Sequence, residues 1–211
     1  MCDRMRASYD VLAAEYARRL ADELDHKPFD RAMLKEFAAL VPKEGWICDL
    51  GCGPGHVARF LRDRSARCIG LDLSEGMLRE ARKLDPGMGL VRGTMLSLGL
   101  GDATLAGLVA FYSLIHFDDA ELAAALAEMY RVLREDGLAL AAFHTGGGSL
   151  HTTELWGYAV DLMAVFFPMQ EVADALVDAG FAVEKALERD PYPGVEYPSR
   201  RAYILARKLR K

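Results

Sequence analysis

Apolar positions recur at three- and four-residue spacings in the first forty residues and then give way to short contiguous runs separated by helical stretches. Tyr9, Leu12, Ala13, Tyr16, Ala17 and Leu20 fall on one helical face, predicting an amphipathic helix over residues 7–24. Pro28 opens a second helical run carrying Phe29, Ala32, Met33, Phe37 and Leu40, and Pro42 lies just past its end. From Trp46 the pattern alternates: WICDL, a helix over 57–64, CIGLDL, a helix over 77–84, then GLVRG. GLVAFYSLI reads as a fourth strand, 118–133 as a helix, GLALAAFH as a fifth strand and 168–179 as a helix, with FAVEKALER and RAYILAR as the last two strands. Strands alternating with helices predict right-handed βαβ units and a parallel sheet, here of seven strands. Residues 145–167 fit no such unit; with Gly146, Gly147, Gly148, Trp156, Tyr158, Phe166 and Phe167 they read either as a substrate-side insertion or lid, or as aromatics that simply pack on the domain.

Composition narrows the class. The 211 residues exceed one typical domain but are too few for two, so a single domain is expected: a helical lid over 1–42, a core over 43–144, the insertion over 145–167 and a final unit over 168–211. A 52% hydrophobic and 27% charged content excludes a disordered chain. The net charge of −5 argues against a surface built to coat nucleic acid or anionic lipid. No apolar run approaches a membrane span and residues 1–20 lack a signal-peptide core, so a cytoplasmic protein is expected. Cys2, Cys48, Cys52 and Cys68 form no Cys-x-x-Cys pair, and we read them as inert thiols, with no metal site.

The densest chemical signal is Asp49-Leu50-Gly51-Cys52-Gly53-Pro54-Gly55-His56, placed after a strand and before a helix. Glycines there let backbone approach a ligand at the carboxyl edge of a doubly wound sheet. Gly53 to Ala58 also fits G-x-G-x-x-A, which keeps a dinucleotide enzyme open. Asp49 weighs against a pyrophosphate, since like charges repel, and suits a ligand bearing an ammonium and a sulfonium. Asp72 ends the second strand, where its carboxylate can accept both hydroxyls of a ribose or, alternatively, cap the helix after it.

With these pieces in place the chain resembles the class I S-adenosylmethionine-dependent methyltransferases over nearly its whole length. DLGCGPGH is similar to their first motif, GLDLSEGML to the second, VRGTM to the adenine-side turn and FYSLIHF to the fourth-strand motif; DAGF and the YILARK ending are also similar. The resemblance implies an α/β, Rossmann-like, doubly wound, mostly parallel sheet of seven strands with an antiparallel last strand and an N-terminal helical lid. It implies S-adenosylmethionine as cofactor and S-adenosylhomocysteine (SAH) as product. Gly51, Cys52, Gly53 and Gly55 would line the methionine moiety, Asp49 would lie near its ammonium and Asp72 would hold the ribose. Leu73 and Met77 would pack on the ribose and adenine side, Met95 would flank adenine, Tyr112 would close the floor, and Tyr16 would reach the methionine carboxylate from the lid. Thr94 stands where many relatives have an adenine-binding Asp, and Gly107 where many have an Asp at the start of the fourth strand. The Thr94 hydroxyl can still accept a hydrogen bond.

Methyl transfer from a sulfonium relies mainly on alignment in a dry site, with a base needed only where the acceptor must lose a proton. His116 is the first such candidate, with helix capping as its structural alternative, and His144 at the fifth strand's end is the second. His151, Tyr9 and Trp156 are placed as acceptor-side residues, with packing between the first helix and the insertion as the alternative. The lack of an appended basic module favours transfer to an oxygen or nitrogen of a small-molecule acceptor over an RNA or protein acceptor. A nucleotide-linked oxidoreductase and a non-catalytic cofactor-binding domain are the rivals from other classes. Oligomeric state is not legible.

Overall fold

The computed structural model describes residues 2–64 and 67–210, the side chain of Cys2 excepted. Its elements are α1 (Cys2–Leu20), α2 (Pro28–Leu40), β1 (Trp46–Leu50), α3 (His56–Arg62), β2 (Arg67–Asp72), α4 (Glu75–Leu84), β3 (Gly89–Arg92), β4 (Leu105–Phe111), α5 (Asp119–Val132), β5 (Leu133–Thr145), β6 (Ser149–Leu155), β7 (Tyr158–Val165), α6 (Met169–Asp178), β8 (Phe181–Arg189) and β9 (Arg200–Lys208). Seven strands form one sheet in the order β3-β2-β1-β4-β5-β9-β8. The order reverses at β1, which pairs in parallel with both β2 and β4. That reversal opens a crevice at the carboxyl edge of the sheet. β9 runs antiparallel to both β5 and β8, as the resemblance implied.

Two apolar clusters cover the two faces of the sheet. On one, α2 and α3 bring Met33, Leu34, Phe37, Val57 and Leu61 against Ile47, Val109, Leu140 and Tyr203. On the other, α5 and α6 bring Leu122, Leu126, Met129, Val172 and Leu176 against Leu50, Leu108, Phe143 and Ile204. β4 is buried at every position, as a central parallel strand requires. Gly107 has a packing cause: a β-carbon there would stand 2.8 Å from the Phe37 ring.

The stretch 145–167, expected as an insertion or as packing aromatics, contains an antiparallel hairpin, β6 and β7, forming a separate two-stranded sheet, and two element boundaries are corrected. The fourth strand ends at Phe111, not at Ile115, because Tyr112 takes a left-handed φ of 55° and turns the chain into a 3₁₀ turn at Leu114–His116. The first helix ends at Leu20, and Glu23–His26 form a separate 3₁₀ turn.

α1 lies over the carboxyl edge and is fastened to the start of α4. The Asp10 carboxylate accepts the Ser74 hydroxyl at 2.7 Å and the Gly76 amide at 2.8 Å, while Ser74 Oγ caps α4 by accepting the Met77 amide at 3.1 Å. An acid at a helix N-terminus satisfies free amides and complements the helix dipole. Only glycine fits at position 76, since a β-carbon would stand 2.9 Å from Asp10 backbone. The hairpin packs on the outside of α1, with the Asp161 amide donating to Ser8 Oγ at 2.8 Å.

Candidate functional site

Under α1, at the point where strand order reverses, lies a partly open cavity. Its floor is the glycine turn. Gly51 and Gly53 hold φ of 69° and 53°, a region that side chains with a β-carbon rarely enter. A β-carbon at Gly51 would fall 2.5 Å from Ser113 Cβ, whereas one at Gly53 would face Tyr16 at 3.9 Å across the cavity. Packing against Ser113 thus requires glycine at 51, while the positive φ favours it at 53, whose backbone borders the cavity.

Asp72 stands beside it. Oδ2 accepts the Gly53 amide and Oδ1 the Ser74 amide, both at 2.8 Å. Burial raises its pKa, and those two backbone amides pull it back. Each carboxylate oxygen has a second lone pair, so Asp72 can also receive the two hydroxyls of a ribose. Leu73, Met77, Thr94 and Met95 line the cavity on the same side. Thr94 Oγ1 accepts the Leu96 amide at 3.2 Å, so part of its capacity is spent on its own turn.

At the opposite wall are Tyr9, Tyr16, Tyr112 and His116. His116 Nδ1 lies 2.7 Å from the Met163 carbonyl on β7, and a carbonyl only accepts, so Nδ1 carries the proton. Burial lowers the His116 pKa, keeping the ring neutral. Nε2 is then a lone pair, and Tyr9 Oη donates to it across 2.7 Å. Burial, followed by the nearby Asp72 charge, raises the Tyr9 pKa far above its ordinary value, so the phenol stays protonated.

The structure thus brings Tyr9, Tyr16, Gly51, Cys52, Gly53, Asp72, Leu73, Met77, Thr94, Met95, Tyr112 and His116 around one cavity. It places Asp49, Gly55, His144, His151 and Trp156 outside that lining. Asp49 lies beneath the turn, 1% exposed, and accepts the Ala58 amide at 3.1 Å, so it caps α3 where Gly55 has no side chain to do so. Burial lifts its pKa to about 7. Gly55 lies against Met88 behind the turn. His144 Nδ1 pairs with Ser199 Oγ at 2.7 Å, and burial with the nearby Arg201 and Lys27 charges lowers its pKa to about 3. His151 pairs with Asp161 on the half-exposed hairpin, and Trp156 at the hairpin tip packs on Tyr16 and Arg19.

Sequence reasoning missed Glu23 and His56. Both line the cavity at the glycine turn, with His56 Nε2 2.8 Å from Glu23 Oε1 and Lys27 Nζ 2.6 Å from Glu23 Oε2. Burial alone would raise the Glu23 pKa, but the His56 and Lys27 partners outweigh it and hold it at about 2. No spacing rule links positions 23 and 56; the His directly after the glycine turn was the only local signal.

Comparison with known proteins follows the same outline. Residues 47–137 match a family described as a methyltransferase domain. A malonyl-[acyl-carrier protein] O-methyltransferase of Serratia marcescens is 30% identical over 151 residues, covering 71% of this chain and 58% of the relative. The enzyme of that name from Laribacter hongkongensis is 32% identical over 195 residues, covering 85% and 64%. The chain thus spans only part of the length of these relatives. Among solved structures, the DhpI–SAH complex superposes with a TM-score of 0.76 at 18% identity, covering 100% of this chain and 98% of the other. An S-adenosylmethionine-dependent methyltransferase from Methanosarcina mazei gives 0.73 at 18% identity, covering 82% and 96%. These likenesses support a class I S-adenosylmethionine-dependent methyltransferase, with the family match itself confined to residues 47–137.

Proposed function

We propose that this class I methyltransferase moves a methyl group to an oxygen or nitrogen of a small acceptor inside the cavity under α1. The observation that carries the reading is one partly open cavity that Asp72 and the glycine turn share with the Tyr9–His116 pair. S-adenosylmethionine supplies an electrophilic methyl group on a sulfonium when bound. Asp72 would accept the ribose hydroxyls, Gly51 and Gly53 would admit the methionine arm against backbone, and Met77 and Met95 would pack on the base. α1 covers one side of the cavity, and displacing water from it strengthens the polar contacts inside. An acceptor hydroxyl or amine gives its proton to Tyr9 Oη, whose own proton passes to His116 Nε2, leaving an imidazolium held by the Met163 carbonyl. Cover by α1 and the acidic net charge support a small acceptor over a polymer.

Calorimetric titration with S-adenosylmethionine, SAH and NADH tests the reading. Micromolar binding of the first two with none of NADH supports it and opens an acceptor screen over small carboxylates, phenols and amines. Binding of NADH alone would transfer the site to a nucleotide-linked oxidoreductase, and binding of none by folded protein would remove the proposal.

A further inference from the structure

A second, smaller cavity opens beside His116, in the seam between the start of α1 and strand β7. Arg4, Met5, His116, Asp161 and Met163 line it. Met5 and His116 line the cavity under α1 as well, so the two spaces meet at one thioether and one imidazole. The imidazole is held from both sides, Nε2 by Tyr9 Oη and Nδ1 by the Met163 carbonyl, each at 2.7 Å. The seam itself is fastened by the Asp161 amide, which donates to Ser8 Oγ on α1 at 2.8 Å.

The charged groups of this second cavity are already committed at its outer rim. Asp161 Oδ2 lies 3.4 Å from Arg4 Nη1, and Oδ1 lies 2.8 Å from His151 Nε2. What is left between the rim and His116 is the thioether chains of Met5 and Met163, both partly buried. Methionine has three rotatable bonds and a polarisable sulfur, so it lines spaces that adapt to flexible apolar guests. A charged group placed between these two side chains would lose water without gaining a partner.

We propose that this second cavity takes the unbranched apolar tail of the methyl acceptor, whose hydroxyl or amine head lies at the Tyr9–His116 pair. The acceptor is then amphipathic, with a proton-bearing head at the base and a run of methylenes passing between Met5 and Met163 toward the rim. The continuity of the two cavities at His116 carries the inference, which deepens the methyltransferase reading above and rests on it.

The test titrates phenol, 4-ethylphenol, 4-butylphenol and 4-hexylphenol into the SAH-saturated chain by calorimetry. Affinity is expected to rise about twofold per methylene, about 60-fold from phenol to 4-hexylphenol, because a half-open cavity buries about half of each group. Met163→Trp fills the space while its backbone carbonyl still holds His116, and should flatten the series to within about threefold. Met163→Gln keeps the length of the side chain but sets an amide against the tail, and should cut the 60-fold gain to about eightfold. Affinities for SAH and for phenol should stay within about twofold in both variants, which also shows that they are folded. A flat series in the wild-type chain, or the same rise with tail length in wild type and both variants, would overturn the assignment. Failure of the wild-type chain to bind SAH would instead strike the methyltransferase reading on which it stands.

Discussion

Two buried polar regions flank Tyr112, and they are built on opposite rules. Behind it, Asp30 accepts Tyr112 Oη at 2.8 Å, Tyr203 Oη at 2.8 Å and Arg189 at 2.7 Å, while Arg189 also reaches Glu196 at 2.6 Å. The Asp30 and Glu196 side chains are fully buried, and each charge is opposed by a guanidinium. In front of it, the cavity keeps capacity in hand: Asp72 has lone pairs left, His56 Nδ1 has no partner, and the Tyr9–His116 pair faces open space. A network that opposes each buried carboxylate with a guanidinium fixes β8, β9 and α2 relative to one another; the cavity wall keeps its capacity for a ligand. The same sheet edge thus supports rigidity on one side of a single tyrosine and recognition on the other.

Mutations that remove one carboxylate from each region should separate these roles. Asp30→Ala is expected to have the largest effect, about 4 kcal/mol of stability in urea unfolding, because Arg189 and two phenols lose their acceptor in the interior. A loss below about 1 kcal/mol would show that the network is not holding the fold. His116→Ala should cut turnover about 100-fold with an acceptor from the screen, leaving SAH affinity within about twofold. Because burial lowers the His116 pKa, the ring stays in its proton-accepting form to below its ordinary pKa, so wild-type turnover should remain level as pH falls to about 6.5. Turnover that declines from pH 8 downward would remove His116 as the base.

Asp72→Ala should weaken SAH by about 50-fold and cost less stability than Asp30→Ala, since the Gly53 and Ser74 amides lose their acceptor but no guanidinium is left unpaired. Near wild-type affinity would break the ribose assignment. Asp49→Asn is expected to change stability only as pH rises. The folded Asp49 pKa of about 7 lies above the ordinary carboxylate value, so its contribution is full below about pH 4 and falls away between pH 4 and 7. The Asn variant should therefore match wild type in acid and exceed it above pH 7. A pH-independent difference between the two would refute the buried-charge account.

The hairpin and the glycine turn show how unevenly the site was legible. Gly51, Gly53 and Asp72 were readable because they are local: positive φ and a strand-tip position follow from a few consecutive residues. Tyr9 and His116 were both named as candidates, yet their hydrogen bond joins residues 107 apart, and the carbonyl that sets the ring's tautomer comes from a hairpin that the pattern did not resolve into strands. Asp49 was legible as a carboxylate but not in its direction, which depends on the N-terminus of α3 below it.

The order of strands and helices and the crevice at β1 were set by hydrophobic period and right-handed crossovers, which act within short stretches of chain, whereas the antiparallel β9 was legible only through the resemblance. Which polar atoms face that crevice was settled only by packing. The α1 clamp on Gly76 spans 66 residues, and the Glu23–His56 pair joins a turn after the lid to the helix after the glycines. Such contacts have no sequence period, because they arise where separate elements meet, and burial there decides which charges are shared and which nitrogen is left without a partner.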